Sequence, residues 1–177
     1  VLPAIKVYNH RDVDELVILD TEASLKNHEI DYESIEDFSP DCFIPLTIGG
    51  GIKNIDQVQK LLHLGADKIS INSASYECPE LITKIASLHG SQSIVSSVDV
   101  RKVDKDKWLC FSHSGTKSTS KEVIQWVREI EDRGAGEILL TSIDFDGTLK
   151  GYDLKLIEEV VSNVDIPVIA SGGAGSY

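Results

Sequence analysis

IPLTIGGGI (Ile44–Ile52) and IPVIASGGAG (Ile166–Gly175) are two versions of one element: a short apolar strand that runs into a glycine turn. Ile44-Pro45 recurs as Ile166-Pro167, and Gly50-Gly51 recurs as Gly172-Gly173, each 122 residues later. Glu15 and Glu137, each at the head of an apolar run, stand at the same offset. A shorter echo relates GADKI (Gly65–Ile69) to GAGEI (Gly134–Ile138). A fixed long period signals a repeated architecture. One period here holds four strand–helix units, so two periods make eight, the plan of a TIM (β/α)8 barrel in the α/β class. An open doubly wound sheet is the alternative architecture, but it requires no such repeat.

Six apolar runs read as strands: Glu15–Asp20, Phe43–Ile48, Lys68–Asn72, Ser93–Asp99, Glu137–Ile143 and Ile166–Ala170. They are near-continuous rather than alternating, as parallel strands covered on both faces are. Amphipathic stretches lie around and between them: Ala4–Arg11, Asn54 or Ile55 to Leu64, Pro79–His89, Glu122–Asp132 and Leu154–Ser162. Asn54, Asp153 and the Ser118–Ser120 run are capping types, and Pro79 suits a first helical turn. Lys102–Ser120 is expected to be a long loop carrying a small hairpin around WLCFS (Trp108–Ser112). By this count residues 1–177 form a single barrel unit with the second to seventh strands of eight. The chain starts at Val1 and contains no Met, which fits a segment of a longer protein. Such a segment leaves open sheet edges, so low stability is expected unless strands come from another copy or a longer chain.

The chain has 177 residues, 41% of them apolar and 26% charged, which is ordinary globular composition. No apolar run approaches the roughly 20 residues of a membrane span. Cys42, Cys78 and Cys110 are widely spaced, which suits a reduced, cytoplasmic protein. A net charge of −12 argues against nucleic acid as partner. It leaves room for a phosphorylated small molecule bound by backbone amides. His10, His28, His63, His89 and His113 show no metal spacing, so neither metal nor cofactor is expected.

Gly49-Gly50-Gly51 lies between a strand and a helix, where amides can approach a phosphate closely. Gly172-Gly173 occupies the matching place in the second half, so two phosphate sites on one mouth are expected. Asn72 and Ser73 end the strand beside the first turn. Asp20, Asp99 and Asp144 close strands, with Asp146-Gly147 just beyond. Barrel active sites use this rim. Asp99 ends a strongly apolar strand, where desolvation favours general acid–base use. Glu15, Lys68 and Glu137 open strands and meet at the opposite mouth, either as structural closure of the floor or as a gate or docking surface.

DELVILD (Asp14–Asp20), IPLTIGGGI, GADKISIN (Gly65–Asn72), GSQSIV (Gly90–Val95), RGAGEILLTSID (Arg133–Asp144), DGTLKGYD (Asp146–Asp153) and IPVIASGGAG together resemble the cyclase subunit of imidazole glycerol phosphate synthase over nearly the whole chain. The resemblance implies a (β/α)8 barrel of histidine biosynthesis, a lyase that uses ammonia from a glutaminase (glutamine amidotransferase) subunit. It implies a doubly phosphorylated ribulosyl aminoimidazole carboxamide nucleotide as substrate, with imidazole glycerol phosphate and aminoimidazole carboxamide ribotide as products. Asp99 then matches one of two catalytic aspartates. Gly51, Asn72 and Ser73 match one phosphate site, with Gly50 in the same turn; Gly173, with Asp146 and Gly147 nearby, matches the other, with Gly172 in its turn. Glu15, Lys68 and Glu137 match three members of an ammonia gate. The catalytic aspartate and gate arginine of the first strand have no counterpart, so the segment alone is expected to be inactive. Neither has the loop of the eighth strand. Phe145 stands where the family usually has arginine, and Glu22 also departs from many relatives. PAIKVYNHRDVDELVILD (Pro3–Asp20) resembles a branch of this family that aminates sugars for surface polysaccharides. A non-catalytic barrel piece that binds phosphate or an amidotransferase is the alternative of a different class.

Overall fold

The computed structural model describes all residues except Asp12, Asn27, Asp106, Ser176 and Tyr177. In chain order the elements are α1 (Leu2–His10), β1 (Leu16–Leu19), α2 (Ala23–Lys26), α3 (Tyr32–Phe38), β2 (Leu46–Gly49), α4 (Ile55–His63), β3 (Lys68–Ile71), α5 (Ser73–Glu77) and α6 (Glu80–His89). Then come β4 (Ile94–Asp104), β5 (Lys107–Ser112), β6 (Lys117–Glu122), α7 (Val123–Asp132), β7 (Glu137–Ser142), α8 (Leu154–Val161) and β8 (Val168–Ser171). Six parallel strands, in the order β1-β2-β3-β4-β7-β8, curl into an incomplete TIM barrel. Each of the six expected runs overlaps one of these strands, though β2, β4 and β8 run on past the expected ends. The capping expectations hold at two helices: Asn54 Oδ1 accepts from Gln57 N at 3.0 Å, and Asp153 Oδ1 from Leu156 N at 3.2 Å.

The hairpin expected around Trp108–Ser112 is present but larger than the sequence suggested. Lys102 belongs to a strand that runs on to Asp104, and Lys117–Glu122 is a second full strand. Ser118–Ser120 therefore lie in β6 and do not cap α7, whose N-cap Glu122 makes no side-chain capping bond. On β4, β3 pairs only Ile94–Ser96, while β7 holds the opposite edge from Val95 to Val100. β5 takes over the edge that β3 leaves, antiparallel from Asp99 to Asp104. The hairpin thus rises above the C-terminal end of β3.

The core lies between the strands and the helix layer. α7 buries Val123, Trp126, Val127 and Ile130, and α6 buries Leu81, Ile82 and Ile85. Fully burying each such side chain contributes about 1.5–3 kcal/mol. Tyr76 stacks on Trp126 with ring centroids 4.5 Å apart, and Lys121 lies over the same indole at 4.1 Å.

Candidate active site at the mouth of the half-barrel

Strand residues two apart face the same way, so the register assigns the inward side chains. β3 directs Lys68 and Ser70 inward, with Asn72 just past its end, and β7 carries Glu137, Leu139 and Thr141. β4 carries Val95, Ser97 and Asp99 on its matching face. A cavity of about 380 Å³ opens at the C-terminal ends. Asp20, Gly50, Gly51, Asn72, Ser73, Asp99 and Asp146 line it.

Asp99 is half-buried and lines this cavity. Asn72 Nδ2 donates to Asp99 Oδ2 at 2.8 Å. Burial pushes the Asp99 carboxyl up to about 6; Asn72 opposes the rise, Asp146 adds to it by charge repulsion, and Thr141 opposes it. Desolvation and a second carboxylate outweigh two hydrogen-bond donors, which leaves a carboxyl poised near neutrality. Such a group exchanges protons with a ligand at physiological pH.

The first glycine turn is built for close approach. Gly50 and Gly51 have φ of 103° and 71°. A Cβ at Gly50 would collide with the Asp20 carbonyl. Asp20 Oδ1 in turn accepts from Glu22 N and Ala23 N, both at 3.0 Å, and orders the loop after β1. In the second half, Gly172 and Gly173 have φ of 90° and 95°. Gly173 O accepts from Gly151 N at 2.8 Å, locking the β7 and β8 loops together. Gly147, Gly172 and Gly173 stand outside the walls of the cavity. Phe145 packs beside Gly173. Asp144 also stays out of the cavity. It accepts from Lys102 N at 3.0 Å and faces Arg101 Nε at 3.5 Å, fastening the hairpin base to β7.

At the opposite end Lys68 Nζ donates to Glu15 Oε1 and to Glu137 Oε1, both at 2.6 Å. The Lys68 side chain is only 15% exposed, and those of Glu15 and Glu137 are 36% and 20% exposed. Burial works against the Lys68 charge, but the hydrogen bonds and charges of Glu137 and Glu15 outweigh it and hold the ammonium above its ordinary value. Glu137 Oε2 is buried with no hydrogen-bond partner among the described residues.

The sequence reasoning missed Ser70, Ser97, Ser114, Gly115, Thr141 and Ser171, which also line the cavity. A signal for three of them was present. Counting by two from Lys68 reaches Ser70, from Glu137 reaches Thr141, and back from Asp99 reaches Ser97.

The family model described as "Histidine biosynthesis protein" matches residues 1–177. The chain belongs to that family. An imidazole glycerol phosphate synthase subunit HisF of Pelodictyon phaeoclathratiforme is 45% identical over 176 residues, covering 99% of this chain and 70% of the relative. The HisF subunit of Dictyoglomus turgidum is 48% identical over 169 residues, 96% of this chain and 67% of the relative. The chain designated subunit hisF2 of Campylobacter jejuni is 50% identical over 168 residues, 95% of this chain and 66% of the relative. Within the family, the chain is therefore of the cyclase (HisF) type. No helix among the described residues is long and apolar enough to cross a membrane.

Proposed function

We propose that this barrel performs the ammonia-dependent cyclase–lyase reaction of histidine biosynthesis. In that reaction a doubly phosphorylated ribulosyl aminoimidazole carboxamide nucleotide becomes imidazole glycerol phosphate and aminoimidazole carboxamide ribotide. The observation that carries the proposal is Asp99, raised to about 6 inside a cavity walled by the Gly50-Gly51 turn. Ring closure removes a proton at one atom and delivers one at another, which a carboxyl titrating near neutrality serves. Gly50, Gly51, Asn72 and Ser73 bind one phosphate. Gly172 and Gly173, with Asp146 and Gly147, bind the other beyond the cavity edge.

The Glu15–Lys68–Glu137 cluster supports an ammonia gate at the far end, facing a glutaminase subunit. The place of action that fits is the cytoplasm. The test is turnover by the full-length protein with the nucleotide substrate and ammonium salt. Asp99→Asn is expected to abolish most of it, by a factor of about 10²–10⁴. A folded wild type that leaves the nucleotide unchanged defeats the assignment. The second reading, amination of a phosphorylated sugar on the same scaffold, is favoured by Phe145. That residue, whose Cβ lies beside Gly173, puts an apolar side chain where the family usually has arginine.

A further inference from the structure

The tip of the β5–β6 hairpin plays no part in the function proposed above, yet it spans the cavity mouth. His113, Ser114 and Gly115 have φ of 52°, 53° and 75°, three successive left-handed residues of which only one is glycine. That conformation is unfavourable for side-chain-bearing residues and persists where neighbours enforce it. The neighbours here are specific. Thr116 Oγ1 donates to His113 O at 2.6 Å, and Ser112 Oγ lies 3.0 Å from His113 Nδ1. Ser114 Oγ donates to Thr21 O, in the loop after β1, at 2.5 Å. Gly115 rests against Ile143, just past β7. His113 Nε2 stands 3.8 Å from Glu77 Oε1 on α5.

The product of this geometry is one bond. His113 N donates to Ser73 Oγ at 3.0 Å. A serine hydroxyl has two lone pairs and one proton. The amide takes a lone pair, and no described residue takes the proton. The hydroxyl is thereby turned to donate into the cavity that Ser73 lines. We propose that the hairpin tip is a strap, with the His113 main chain a positioning group that presets Ser73 as a donor to a phosphate oxygen. Ser114 is a second positioning residue, through its tether to Thr21. The proposal rests on the phosphate role of Ser73 given above.

The test uses the full-length protein and inorganic phosphate, followed by 31P NMR titration, in Ser73→Ala, His113→Gly and His113→Val. His113→Gly keeps the amide and tolerates positive φ, so phosphate affinity stays within about twofold of wild type. His113→Val places a β-branched residue where φ is positive, so affinity falls about fivefold, close to the loss in Ser73→Ala. With the nucleotide substrate, the same variant raises KM and leaves kcat nearly unchanged. An equal loss in His113→Gly and Ser73→Ala makes the imidazole itself the ligand and overturns the strap. Wild-type binding by His113→Val beside a weakened Ser73→Ala overturns the strap alone. Wild-type binding by Ser73→Ala overturns the phosphate role itself. If His113→Val fails to fold by circular dichroism, Ser114→Ala replaces it, with a two- to threefold loss expected. Unchanged binding in Ser114→Ala then overturns the strap.

Discussion

The two ends of the barrel interior treat charge in opposite ways. At the N-terminal end Lys68 meets Glu15 and Glu137 at 2.6 Å each, so an ammonium keeps its proton although burial opposes it. At the C-terminal end Asp99 meets a neutral amide and a second carboxylate, Asp146, and its carboxyl rises to about 6. Strands β3, β4 and β7 run through both places, so the backbone is common to the two. What differs is compensation. A matched charge is fixed across the physiological range, whereas an unmatched carboxyl is free to change state.

Asp99→Asn breaks the comparison at its most sensitive point, and its effect on turnover is the largest expected. Its effect on stability has the opposite sign. The folded carboxyl titrates near 6, above the ordinary carboxylate value. The stability it contributes is therefore full below pH ~4 and is lost as pH rises through 6. Asp99→Asn removes that loss. The variant is expected to be more stable than wild type by about 1–3 kcal/mol at pH 8 and nearly equal to it at pH 4. Denaturation midpoints across that range check the prediction. Equal midpoints at pH 8 would show that Asp99 ionises without cost.

Next in size is Gly50→Ala. Its φ of 103° and the adjacent Asp20 carbonyl leave no place for a methyl group. A cost of about 2–4 kcal/mol and loss of phosphate binding are expected, read by thermal melting with and without phosphate.

Lys68→Met tests the compensated end. It strands Glu137, whose Oε2 already lacks a partner among the described residues. A loss of about 1–3 kcal/mol is expected, smaller than for a fully buried pair because Glu15 is solvated. The Lys68 shift is upward, so the pair's contribution is complete below the ordinary lysine value and is lost only as pH rises past the raised one. The deficit of the variant should thus be flat from pH 6 to pH 9, in contrast to Asp99→Asn. A deficit that changes over that interval would remove the distinction between the two ends.

The sequence carried the barrel strands because parallel strands are apolar on both faces, and the 122-residue repeat ordered them. It carried Asp99, Asn72 and the first glycine turn because charge, amide and glycine interrupt apolar runs. The serines at 70 and 97 show only through the alternation from Lys68 and Asp99, since a small hydroxyl inside a strand disturbs the apolar pattern little. The hairpin around Trp108–Ser112 was legible, but its full extent, from β4 running on to Asp104 to β6 over Lys117–Glu122, was not, because that pairing depends on β3 ending early, a tertiary circumstance. For the same reason Ser118–Ser120, a plausible cap by composition, became strand. Asp144 looked like a rim acid, but Lys102 N and Arg101 claim it.

The smallest effect belongs to Gly147, which shares the positive φ of Gly50 but not its surroundings. Its φ is 71°, and a Cβ there would meet nothing within 4 Å. Gly147→Ala therefore bears only the conformational term, about 1 kcal/mol, partly offset by a less flexible unfolded chain. A measured loss below that of Gly50→Ala, with phosphate affinity lowered, would mean that Gly147 serves its loop through close approach to a ligand. The same small loss with unchanged affinity would make it a turn residue only and confine the second phosphate site to Gly172 and Gly173.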